Sequence, residues 1–297
     1  AIFFAKKVRN ASIFTIPEIV EKHYSKKVSL LVAAVLLIIV SPAPYIFMIA
    51  SLLNYIFNIN ILLATIFSLI ASSLFIYKGG FKTNVWMDSY QFFVMFLGFI
   101  IIVIVSQLNF GGIEFLTKNL PENHLSLTGG LPIGYIIVWY LIALWTFADP
   151  GFHQRASAAK NDKVAIYGIF ISVIFWFFFD FLTTTTGLYA KATIPNLNNP
   201  VLSYPIYAEK ILIPGVKALF YVAMFATILS TSNSFIFLSL SIINKDLLDK
   251  IQYVKNIQLH KKNIISLSII SIFTIVITTL LPSVIDMWYT IGTIFLP

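Results

Sequence analysis

The chain has 297 residues, 59% of them hydrophobic and 16% aromatic, with only 11% charged and a mean hydropathy of +0.89. Those proportions exclude a soluble globular domain and identify an integral membrane protein. The net charge is +8, and the absence of cysteine excludes disulfides and thiolate metal sites without indicating a compartment.

In chain order, AIFFA reads as the tail of a helix, and the basic residues Lys6, Lys7, Arg9, Lys22, Lys26 and Lys27 follow. Thr15 with Glu18 three residues later forms a capping box, and Pro17 lies in the first turn. Residues 16–24 are therefore expected to form a short amphipathic helix on the membrane surface. Residues 28–53 make the first complete span, which Pro42 and Pro44 should kink by freeing backbone carbonyls. Further spans are expected at 56–77, 85–108, 131–155, 164–190, 211–243, 264–281 and 283–297. KGGFK forms the loop between the second and third, and Asp149, Pro150 and Gly151 interrupt the fourth. With no initiator Met, and with Pro297 inside an apolar run, the chain is expected to be a piece of a longer polypeptide.

Loop charges give the orientation. If the N-terminal stretch is inside, the inside loops hold 16 of the 20 Lys and Arg residues, leaving Lys118, Lys191, Lys210 and Lys217 outside. That bias fits eight spans with residues 1–27 and 244–262 cytoplasmic, and the reverse orientation violates it. It also accounts for the net positive charge without a nucleic-acid partner.

Asp88, Asp149 and Asp180 lie within expected spans, where each costs about 2.5 kcal/mol or more at the bilayer centre. Asp88 is six residues past Lys82, ~9 Å into the membrane from the inner side. It reads either as an interfacial carboxylate or as a cation relay facing an inner vestibule. Asp149 stands beside Pro150 and Gly151. Broken helices at membrane depth survive where they are buried in protein or line a cavity, so Asp149 is expected near a solute path. Asp180, in WFFFDFLTTTTG, reads as a partner of the Thr183 to Thr186 run.

The stretch ATILSTSN, from Ala226 to Asn233, places two adjacent hydroxyls, Ser230 and Thr231, 13 residues after Lys217 and 14 before Lys245. They therefore sit ~20 Å from either charged end, mid-membrane. Paired hydroxyls at that depth suit a small hard cation such as Na⁺ if carbonyls of a broken helix complete the shell. The alternative is that they bond back to the preceding turn or to a neighbouring helix. No HExxH motif, nucleophile elbow or phosphate loop is present, and His23, His124, His153 and His260 lack ligand spacing. An enzyme is not expected.

Four segments together resemble the sodium/solute symporter family, in the family's order: TIPEIVEKHYSKK, GGFKTNVWMDSYQFFVM, FADPGFHQRASAAKN and ATILSTSNSFIFLSLSIINKDL. Met87 stands where the family's Thr is usual, with Asp88 and Gln91 in place. The resemblance spans essentially the whole chain and implies an all-α membrane protein with the LeuT-type inverted-repeat helical bundle of ten core helices. On that map the chain runs from the end of core helix two into core helix ten. It further implies that Ser230 and Thr231 are hydroxyl ligands of Na⁺, that Thr227 supplies a backbone carbonyl, and that Asp88 lies on the inner sodium exit route. Asp149 and Pro150 resemble the solute-facing break, where relatives carry Asn-Gln or Gln-Pro, and Trp145 and Trp176 join them as solute-binding candidates. Trp176 falls where sugar-transporting members have a lysine, which argues against sugar. The expected function is a sodium-coupled symporter of a small organic solute, working by alternating access in the plasma membrane. Its partners are that solute, Na⁺ and the lipid bilayer. A transmembrane sensor module of a larger signalling protein, or a proton-coupled carrier of the same fold, are the alternatives.

Overall fold

A computed structural model describes residues 2–10, 15–147, 149–197, 199–254 and 256–295, and among the described residues there is no strand. The helices are α1 Ile2–Asn10, α2 Ile16–His23, α3 Lys26–Ile39, α4 Ala43–Phe57, α5 Ile61–Phe110, α6 Ile113–Asn119, α7 Ile133–Ile142, α8 Pro150–Ser157, α9 Asp162–Thr193, α10 Ser203–Ile211, α11 Pro214–Ser241, α12 Leu259–Leu280 and α13 Val284–Phe295. Five stretches among the described residues are long and apolar enough to cross a membrane: Lys26–Phe57, Gly79–Phe110, Asp162–Thr193, Pro214–Lys250 and Leu259–Leu280. A shorter apolar helix covers Ile61–Tyr77.

Local chemistry sets the breaks. Thr15 caps α2, its Oγ1 accepting the Glu18 N–H as the Thr-x-x-Glu spacing predicts. Between α3 and α4, Pro44 has no N–H to offer the Val40 carbonyl one turn back. That carbonyl instead accepts the Ser239 hydroxyl at 3.0 Å. Within α5 the chain departs from helical geometry at Gly80 (φ 55°, ψ −152°), a region open to glycine. The break is narrower than the expected KGGFK loop, because one residue free of a Cβ suffices. The interruption at Asp149 begins earlier than expected, since Ala143–Phe147 is already a 3₁₀ turn.

The helices form two compact units, one made of Ala1–Asp88, Trp145–Ile171 and Ile228–Pro297, the other of Ser89–Leu144 and Ser172–Thr227. In the first, Ala33, Leu36 and Val40 of α3 pack on Leu238 and on Ile242 just past the end of α11. After Ser241, α11 widens into a π turn over Ile242–Leu247, and α4 packs against α12 and α13. In the second unit a run of phenylalanines, Phe92, Phe96 and Phe99 of α5, meets Phe175 and Phe179 of α9. Gly98 lets α11 approach closely there, because a Cβ on it would lie 2.2 Å from that of Ala223. Tyr207 is fully buried and donates to Ser106 Oγ at 2.6 Å.

Candidate functional site

The polar cluster of the first unit is assembled from three helices. Asn84 and Asp88 are four residues apart on α5 and share a face, as do Ser230 and Ser234 on α11. Phe81 packs on Phe237, ring centroids 5.6 Å apart, and holds the two faces together. Across that contact the Ser230 hydroxyl donates to Asp88 Oδ1 at 2.7 Å. Asn84 Nδ2 donates to Ser234 Oγ at 3.0 Å and lies 3.4 Å from Asp88 Oδ2. The third contributor is Arg155, in the last turn of α8, with Nη2 3.0 Å from Ser234 Oγ and 3.4 Å from Asp88 Oδ2.

The direction of these bonds decides what the cluster can do. A hydroxyl that donates its hydrogen to a carboxylate keeps its lone pairs for a cation, so Ser230 and Asp88 together present oxygens and negative charge. Asn84 is 2% exposed and its Oδ1 has no partner among the described residues, a further buried acceptor beside them. One turn of α11 further on, Asn233 is also buried, with neither side-chain atom paired among the described residues. Unpaired amides cost free energy in an apolar interior and mark places where another group is accommodated.

The other expected site residues are distributed as follows. Thr231 is half-buried and adjacent to Ser230 on α11. Thr227, one turn before, belongs to the second unit and uses its hydroxyl on the Ala223 carbonyl at 2.8 Å. Asp149 caps α8, Oδ1 accepting the Phe152 N–H at 2.9 Å, with buried Pro150 as the first helical residue. Trp145 sits in the 3₁₀ turn before the break and is packed on the Ala33, Leu36, Val40, Leu238 and Ile242 cluster. Phe235 packs on the same cluster and meets Tyr45, whose ring is in turn 5.8 Å from Trp288. Trp176 lies in the second unit, 58% exposed on α9 among the exposed Phe175, Phe177 and Phe178. Thr183 donates to the backbone carbonyl of the exposed Asp180.

Sequence reasoning missed Asn84, Ser234 and Arg155. The first two carry a signal, since each stands four residues from a chosen site residue and so on its face. Arg155 was absorbed into the inside-loop charges, and nothing in its spacing distinguishes it from Lys160 or Lys163.

Among the described residues there is no strand, and several helices are long and apolar enough to cross a membrane, the make-up of a multi-pass membrane protein. The family model described as "Sodium:solute symporter family" matches residues 1–291, and the chain belongs to that family. It is similar to the sodium/pantothenate symporter of Haemophilus influenzae (strain ATCC 51907 / DSM 11121 / KW20 / Rd), 27% identical over 205 residues that cover 67% of this chain and 42% of that protein. It is also similar to the sodium/pantothenate symporter of Escherichia coli (strain K12), 26% identical over 185 residues that cover 60% of this chain and 38% of that protein. The matched part of the chain thus spans about two-fifths of the length of these relatives.

Proposed function

We propose that the protein is a sodium-coupled symporter that moves a small organic solute across the plasma membrane by alternating access, and that it is not an enzyme. The observation that carries this reading is the 2.7 Å hydrogen bond from Ser230 to Asp88 between two apolar helices. It joins a hydroxyl with free lone pairs to a carboxylate that would otherwise be expensive within a membrane. In this reading Ser230 and Thr231 offer hydroxyl oxygens to Na⁺, Thr227 offers its carbonyl, and Asp88 supplies the charge along the inner exit. Family membership supports Na⁺ as the co-transported ion. The LeuT-type arrangement supplies the two states, and Na⁺ stabilises the outward-facing one by binding it more tightly.

Solute recognition falls to the break before α8, where Trp145, Asp149 and Pro150 stand close in sequence, with Trp176 as a further candidate. The relatives carry pantothenate in their names, which makes that hydroxylated amide acid the first solute to test. Residues 1–27 and 244–262 face the cytoplasm in this reading.

The test is uptake into proteoliposomes under an imposed sodium gradient. Ser230→Ala combined with Thr231→Ala should abolish sodium-stimulated uptake while the protein still inserts. Uptake that keeps its sodium dependence in the double variant rules the assignment out.

A further inference from the structure

Gly151 lies close to two charged groups. A Cβ on this residue would lie 3.0 Å from Asp149 Oδ1 and 3.2 Å from Arg155 Nη1. The sum of those distances puts the carboxylate oxygen and the guanidinium nitrogen within about 6 Å of each other. The other terminal nitrogen of the same guanidinium, Nη2, lies 3.4 Å from Asp88 Oδ2 and 3.0 Å from Ser234 Oγ. Arg155 therefore stands between two carboxylates, one at the ion site and one at the helix break. A guanidinium suits that position, because its donors point along fixed, divergent directions and it stays charged at any accessible pH.

We propose that Arg155 couples ion occupancy to the helix break. It is a tethered cation that moves from Asp88 towards Asp149 when Na⁺ enters the ion site, and returns when Na⁺ leaves. The proposal rests on the reading of Ser230 and Asp88 as the ion site. Two carboxylates share one guanidinium, so the cluster carries a net negative charge that a single added cation neutralises. With Na⁺ at Asp88, two positive charges on the order of 5 Å apart, at an effective dielectric of about 20, disfavour each other by on the order of a hundredfold. Asp149 offers the displaced guanidinium a second carboxylate within reach. Among the described residues Oδ1 of that carboxylate accepts the Phe152 N–H, and Oδ2 is the oxygen that would receive the guanidinium. The bare Gly151 leaves room beside both groups, since a Cβ there would crowd each of them. Sodium binding thereby alters the charge at Asp149, the residue next to Pro150 and four positions from Trp145, before any solute arrives.

The experiment is equilibrium binding of radioactive sodium to the purified full-length protein without solute, run as a double-mutant cycle on residues 149 and 155. Asparagine caps a helix as well as aspartate does, so Asp149→Asn removes the charge and spares the fold. With Arg155 present, Asp149→Asn should weaken sodium binding about tenfold, because the guanidinium then stays on Asp88. Arg155→Gln should tighten sodium binding by removing the competitor, and Asp149→Asn added to it should have no further effect. Gly151→Ala keeps every charge and adds a methyl that crowds both groups. It should reproduce the loss in the otherwise unaltered chain, which keeps the proposal testable if Arg155→Gln does not accumulate. The proposal is overturned if Asp149→Asn leaves sodium binding unchanged with Arg155 present, or weakens it equally in both backgrounds. If Ser230→Ala with Thr231→Ala leaves sodium binding intact, the ion site itself is wrong and the coupling falls with it.

Discussion

Ser230 differs from most helix hydroxyls of this chain in the direction of its hydrogen. Thr65, Ser68, Ser106, Thr186, Thr227 and Ser241 all donate to the carbonyl four residues earlier, the ordinary fate of Ser and Thr in an apolar helix. Ser230 instead reaches across to Asp88. Losing a cation ligand of this kind should cost about tenfold or more in apparent sodium affinity, so Ser230→Ala should shift the sodium dependence of uptake by at least that much. Ser68→Ala, which removes a hydroxyl turned back on its own helix, should shift it by no more than about twofold. Equal shifts in a sodium titration of the two variants would show that the direction of the hydroxyl carries no information about the ion. That Ser230 and Thr231 share one apolar helix was legible in the sequence, because two adjacent hydroxyls stand out in a long apolar run. The partners of Ser230 were less so, since whether a serine bonds backwards or sideways depends on which helix lies opposite, and that is a property of packing.

At the scale of elements, α11 is fastened at its C-terminal end by a set of polar ties, several of them buried. Thr15 Oγ1 donates to Asp246 Oδ1 at 2.9 Å, in the π turn that follows α11. Lys250 pairs with Glu21 at 2.6 Å and donates to Ser29 Oγ at 2.8 Å, and Lys262 pairs with Asp249. Asn244 bonds Asn263 and accepts from Ser266 of α12. The surface helix α2 is thus joined through its own N-cap to the helix that carries Ser230. Thr15→Val keeps the branched shape and removes both the cap of α2 and a donor to Asp246, which is 2% exposed and whose Oδ2 already has no partner. The expected cost is about 1–3 kcal/mol, seen as a lower melting temperature in detergent. Asp246→Asn in the Thr15→Val background should recover part of it, because an amide is cheaper than a charge to leave buried. A Thr15→Val melting curve that overlays the unaltered protein would show the tie to be idle. The proline and glycine breaks of these elements were legible, since Pro44 and Gly80 act through their own covalent structure. The π turn and the 3₁₀ turn at Ala143–Phe147 were not, because IINKDL and ALWTF contain no residue that forbids an α-helix.

At the scale of the whole molecule, the bilayer is the solvent that makes the surface intelligible. Phe170, Phe177 and Phe181 of α9 are 52%, 69% and 64% exposed, an aromatic surface that water would not tolerate in a monomer and that lipid accepts. The proposed orientation of the helix ends rests on the loop charges, through the positive-inside bias. These 297 residues hold no cysteine, so within them a single introduced thiol reports one position without a background. Tyr253 and Leu127 are suited to this, because both are almost fully exposed, at 94% and 102%, and neither has a role in the cluster around Asp88. Residue 253 lies in the stretch 244–262, which the charge bias places in the cytoplasm. Residue 127 lies in the loop between the expected spans 85–108 and 131–155, on the opposite side. A membrane-impermeant maleimide applied to intact cells should therefore label Leu127→Cys and leave Tyr253→Cys untouched, and inverted vesicles should give the opposite pattern. Labelling of both from one side would mean that an even number of crossings separates them, in place of the three that the charge distribution requires. The same result would remove Ser230 from the middle of a crossing helix, and with it the reason for a mid-membrane ion.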